Sequence, residues 1–172
     1  FSPDGKYIAF VSNRTEDREN NIDTDIWIVP VAGGAIEKVF DNTGPDYSPA
    51  WSPDGRYLAW RSTFRYNYES DNYNIMVKDL KTGKISNLTE KFDRLIYDLS
   101  WHPNNNDIIF LTGDQGNFNL YSVSLSKKKI APLVQGLHRI RQWDISADGK
   151  TLILSRSQVD APDEIYSIPL GK

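Results

Sequence analysis

Phe1-Ser-Pro-Asp-Gly-Lys-Tyr-Ile-Ala-Phe10 and Trp51-Ser-Pro-Asp-Gly-Arg-Tyr-Leu-Ala-Trp60 are one ten-residue phrase written twice. Weaker copies are Trp101-His-Pro-Asn-Asn-Asn-Asp-Ile-Ile-Phe110 and Ile145-Ser-Ala-Asp-Gly-Lys-Thr-Leu-Ile-Leu154. The four copies start at positions 1, 51, 101 and 145. A repeat of that period, built from strand-forming residues and turn signals, predicts the blades of a β-propeller. In Ser-Pro-Asp-Gly, proline presets φ, aspartate suits the next position, and glycine accepts positive φ. Asn105 stands where Gly5 and Gly55 stand, and asparagine is the next-best residue for a left-handed backbone.

The strands around these turns repeat as well. Residues 46–51, 96–101 and 140–145 align as inner strands with period-two alternation. Second, third and fourth strands align behind them, giving three, four, four and three. The expectation is an all-β chain, a partial β-propeller of about three and a half four-stranded antiparallel blades, over residues 1–40, 41–89, 90–134 and 135–172. Broken blades leave strand edges that template further pairing. Their expected partners are the missing blades of a longer protein or a second copy.

With 172 residues, 39% hydrophobic residues and a net charge of −3, the chain reads as soluble and globular. The mild acidity argues against nucleic acid, which needs clustered Lys and Arg. No apolar run approaches the ~18 residues of a membrane span. Zero cysteines exclude disulfides and thiolate metal sites. His102 and His138 are the only histidines, too few and too far apart in sequence for a zinc site. His102 replaces the serine of the turn phrase, which points to a structural role. No Gly-x-Ser-x-Gly elbow and no phosphate loop occur. Neither a metal, a cofactor nor a catalytic residue is expected within this chain.

Strand order places the tight turns on one side and the longer loops on the other. The turn side carries three acids against nine bases, a balance of +6. The loop side, dominated by residues 15–24 and 64–73, carries thirteen acids against five bases, a balance of −8. Long loops on a rigid scaffold are where binding residues concentrate, and an acidic mouth favours cationic ligands such as a peptide amino terminus. The alternative is that these acids serve solubility.

The run from Phe1 through Asn13-Arg14, an acidic insert and Asp25-Ile-Trp-Ile-Val-Pro30 resembles the propeller of dipeptidyl aminopeptidases and acylaminoacyl peptidases. These belong to the prolyl oligopeptidase family of serine peptidases. Residues 48–62, 87–94 and 164–170 extend the resemblance. It implies that a propeller caps an α/β-hydrolase domain lying C-terminal to Lys172 and admits only short peptides. It also implies a periplasmic or secreted setting in preference to a cytoplasmic one. Within Arg65-Tyr-Asn-Tyr-Glu69-Ser-Asp71, the candidate substrate-binding residues are Arg65, Glu69 and Asp71. A carboxylate there would pair with a substrate's α-ammonium; alternatively, Glu69 and Asp71 bind Arg65 or loop backbone. Tol-associated propellers share the Ser-Pro-Asp-Gly phrase, so a module that binds a protein or glycan is the second reading. A polysaccharide-lyase propeller is disfavoured, because no histidine cluster exists.

Overall fold

The computed structural model describes residues 1–68 and 70–170, which form fourteen strands. They group into two compact units, Phe1–Asp93 and Arg94–Lys172.

In the first unit, β1 (Tyr7–Ser12), β2 (Asp25–Pro30) and β3 (Glu37–Lys38) make an antiparallel three-stranded sheet. A four-stranded meander follows: β4 (Asp46–Trp51), β5 (Tyr57–Ser62), β6 (Asn74–Asp79) and β7 (Ile85–Asn87). Ile26, Val39, Leu58, Trp60 and Met76 form one buried cluster between these sheets. Phe40 lies at 5.6 Å, ring to ring, from the fully buried Trp60.

The second unit opens with β8 (Ile96–Trp101), β9 (Asp107–Asp114), β10 (Asn117–Ser124) and β11 (Ile130–Val134). It closes with β12 (Arg139–Ile145), β13 (Thr151–Gln158) and β14 (Ala161–Pro169). Leu111, Leu120, Ile140, Leu152 and Leu154 belong to its core. One parallel pair, Phe118 with Arg139, joins β10 to β12, and Phe118 N–H donates to His138 O at 3.0 Å. That bridge makes a continuous sheet where two separate blades were expected. The strand count of three, four, four and three agrees with the repeat.

The repeated phrase has a local reason. Gly5 N–H donates to Ser2 O (2.9 Å) with φ at +70°, and Gly55 N–H donates to Ser52 O (2.8 Å) with φ at +71°. The serine hydroxyl donates to the aspartate (Ser2 to Asp4, 2.7 Å; Ser52 to Asp54, 2.6 Å; Ser146 to Asp148, 2.6 Å). That same hydroxyl accepts the N–H of the first strand residue, Tyr7, Tyr57 or Thr151. Each phrase therefore satisfies its own turn. In the third copy, His102 Nδ1 accepts Asn104 N–H (3.1 Å), while its Nε2 lies 3.1 Å from Gly149 O. His102 is structural, as its place in the phrase suggested.

Each inner strand also carries a register shift, between Tyr47 and Ala50, Ile96 and Asp98, and Ile140 and Gln142. Bulges of this kind turn the strand and re-aim the residues before them. Ser48 takes φ of +56° to make the first.

Candidate functional site

The two long loops lie in the first unit. The loop over residues 15–24 is held by its own amides: Asn13 Oδ1 accepts Thr15 N–H (3.1 Å), and Asn21 Nδ2 donates to Thr15 Oγ1 (3.0 Å). Arg14 lies over the Phe10 and Trp27 rings at 5.7 and 5.1 Å. The insert is thus ordered on the strands that flank it.

In the second loop, Asp71 Oδ1 accepts from Arg65 (2.8 Å) and from Asn72 N–H (3.1 Å), while Oδ2 accepts Phe64 N–H at 3.3 Å. Arg65 stacks over Tyr68 at 4.1 Å. Hydrogen bonding to Arg65 holds the Asp71 carboxyl below its usual range. The structure therefore brings Arg65 and Asp71 together as a loop-internal pair; Glu69 lies outside the described residues. Asn72 donates to Asp93 at 3.0 Å, so the loop base is tied as well. Phe64, Tyr66 and Tyr68 stand exposed above this frame. Chemically, the loop offers aromatic faces and a guanidinium held in place.

A second group of polar residues sits beneath the loops. Asp46 is fully buried at the start of β4, and Asp25 is 4% exposed at the start of β2. Asp46 N–H donates to Thr24 O (2.7 Å), and Thr24 Oγ1 donates back to Asp46 O (3.0 Å). Lys38 Nζ lies 3.0 Å from carboxylate oxygens of both Asp25 and Asp41. Asn42 Nδ2 reaches Ser62 Oγ (3.0 Å) and Thr63 O (2.7 Å). Asp46 Oδ2 and Trp60 Nε1 are both buried and make no hydrogen bond of good geometry, although the Trp60 side chain still acts on the Asp46 carboxyl in favour of its ionised form. Burial pushes the Asp46 carboxyl up to about 7, against the neighbouring Ser62 hydroxyl and with the charge of Asp25 adding to the rise. Burial likewise raises Asp25 and Asp23.

This group corrects the charge balance read from the sequence. Asp46 and Asp23 were among the thirteen acids, yet one is buried and both resist ionisation. Asp41 is paired with Lys38, a strand residue outside the loop windows. The mouth is accordingly less negative than −8. A signal existed: the repeat aligns Asp46 with Ile96 and Ile140, which are 0% and 1% exposed. A carboxylate at a position that is otherwise a core isoleucine announces a buried acid.

No group of three or more His, Cys, Asp or Glu among the described residues is arranged to hold a metal ion. On the turn side of the first unit, a groove of about 660 Å³ runs between the two turns, walled by Tyr7, Ile28, Trp51 and Leu80. Of its three lining acids, Asp4 and Asp54 are engaged by their own turn serines and Glu37 is exposed on β3. No helix of the described residues is long and apolar enough to cross a membrane.

Known proteins share this architecture. The family model described as the TolB beta propeller domain matches residues 1–167. Dipeptidyl-peptidase 5 of Porphyromonas gingivalis is 31% identical over 171 residues, covering 98% of this chain and 25% of that protein. The chain thus spans about a quarter of the length of that curated relative. Among solved structures, TolB from Acinetobacter baumannii superposes with a TM-score of 0.73 at 21% identity, over 97% of this chain and 39% of its own. The acylaminoacyl peptidase of Pyrococcus horikoshii gives 0.72 at 19% identity, over 94% and 24%. At that identity the two structures speak to the fold, and both are matched by antiparallel blades with no helix among the described residues. The curated relative agrees with the resemblance carried by the sequence motifs. The chain therefore belongs to the TolB β-propeller domain family and is a partial propeller of the kind shared by dipeptidyl-peptidase-type proteins.

Proposed function

We propose that this chain is the non-catalytic propeller segment of a serine exopeptidase, which gates and orients short peptides for a C-terminal α/β-hydrolase domain. The observation that carries the reading is the match to dipeptidyl-peptidase 5 along 98% of the chain. The loop geometry supports it. The Arg65–Asp71 pair and the Asp71 contact to Phe64 N–H set the shape of a loop whose tip bears exposed Tyr66 and Tyr68. In this proposal Arg65 and Asp71 shape the substrate-contacting loop, and Glu69 supplies the carboxylate that meets the substrate's α-ammonium. A periplasmic or secreted site of action belongs to the same proposal.

The test uses the full-length protein. A fluorophosphonate probe should label it, and Glu69→Gln should slow cleavage of peptides with a free amino terminus while sparing their N-acylated counterparts. Equal loss on both substrates would end the amine-anchor role. Absence of labelling in folded, full-length protein would end the peptidase reading. A binding module of the TolB kind would then lead, as the fold match to the Acinetobacter protein supports.

A further inference from the structure

A smaller cavity, about 210 Å³, opens in the second unit where β10 begins, β12 begins and β13 ends. It lies on the loop side, which the residue count makes acidic. No Asp or Glu is among its lining residues, however. Asn117, His138, Arg139, Ser157 and Gln158 supply its polar groups. Donor capacity therefore dominates here.

The groups beneath strengthen that sign. His138 is 4% exposed, and its Nε2 is buried without a hydrogen-bond partner. Arg156 stacks on Tyr166 at 3.9 Å, and its Nε is also buried and unpartnered. Arg139, exposed, lies over the Phe118 ring at 4.8 Å. Neither arginine forms an ion pair among the described residues. Burial and the nearby charge of Arg156 hold the His138 imidazole below its usual range, so it is neutral at pH 7. At the cavity itself Arg139 thus presents a guanidinium that no carboxylate of the lining meets, and such a place favours an anion. A guanidinium's planar fork matches a carboxylate in particular.

Two exposed apolar side chains, Leu137 and Val159, flank the cavity. Drug-sized ligands fill ~300 Å³ or more, so this cavity suits one terminal residue and its carboxylate. We infer that it is a binding site for the C-terminal carboxylate of a short peptide ending in an apolar residue, with Arg139 as the principal contact and Leu137 and Val159 against the side chain. The position of the site follows from the parallel bridge between Phe118 and Arg139, which draws the start of β12 against β10. The inference is independent of the gating proposal, since it concerns a ligand's acidic end and a different unit.

The experiment follows the His138 ring by NMR in the full-length protein carrying labelled histidine, with the resonance assigned by its loss in His138→Gln. N-acetyl-alanyl-leucine should shift that resonance and raise its titration midpoint, because a bound carboxylate favours the imidazolium. The C-terminal amide of the same peptide should do neither. Arg139→Gln, at an exposed position, should weaken binding of the acid about tenfold or more, and Arg139→Lys should restore part of it. Equal binding of acid and amide would overturn the inference. So would a His138 response to inorganic phosphate alone, or unchanged affinity in Arg139→Gln. None of these outcomes depends on whether the protein cleaves peptides.

Discussion

Replacing Asp46 with asparagine should remove a pH dependence built into the first unit. The Asp46 carboxyl is fully buried, and its pKa stands at about 7 against an ordinary 3.8. That rise corresponds to about 4 kcal/mol, at ~1.4 kcal/mol per tenfold. The unfolded chain releases this proton near 3.8 and the folded chain near 7, so between those values the folded state holds the extra proton. Stability from Asp46 is therefore present in full below about 3.8 and is lost as pH rises through about 7. The asparagine side chain carries no charge and keeps the shape of the carboxyl group, so its contribution stays level. Urea unfolding followed by tryptophan fluorescence at pH 4 and pH 8 gives the comparison, since Trp60 is buried in the same unit. The difference between wild type and Asp46→Asn should move by about 4 kcal/mol between the two pH values, in favour of the variant at pH 8. Titrating groups that do not interact with Asp46, such as Asp71, are common to both proteins and cancel to first order, whereas Asp25 is coupled to Asp46 and is part of the effect read. A difference constant to within ~0.5 kcal/mol would refute the reasoning, and so would a change of the opposite sign.

Substitutions at two further positions test the packing and the turns. A methyl group at Gly44 would stand 2.7 Å from the backbone of Thr63, so Gly44→Ala should cost about 1–3 kcal/mol in thermal or urea unfolding; an unchanged melting temperature would show that the close approach is absent. At Gly55, with φ of +71°, valine should cost on the order of 1–2 kcal/mol. Asparagine should cost less, since Asn105 holds the same place in the third copy at φ of +57°; equal losses would remove the left-handed backbone as the cause.

The blades were legible in the chain itself because their determinants are local. Ser2, Asp4 and Gly5 form a turn from their own side chains and backbone, and the same atoms recur at Ser52, Asp54 and Gly55. Continuous apolar runs, Leu58–Trp60 in β5 and Ile108–Leu111 in β9, then mark strands buried on both faces. The Arg65–Asp71 pairing was also within reach, since both residues belong to one short loop. The buried acids were less so. Asp46 became distinguishable only by comparison with Ile96 and Ile140, and its raised pKa depends on desolvation, which no single segment expresses. Lys38 reaches Asp25 and Asp41 because β3 pairs with β2, an arrangement set by sheet register. The donor-lined cavity lies furthest from the sequence pattern. Arg139, Ser157 and Asn117 come from three strands, brought together by one parallel bridge and by the pairing of Arg139 with Ser157. Turn chemistry and periodicity are properties of neighbours along the chain, so the sequence by itself determined the propeller blades. Charge environment is a property of neighbours in space, and only the tertiary structure decided where an acid is buried and where Arg139 lines a cavity that holds no carboxylate.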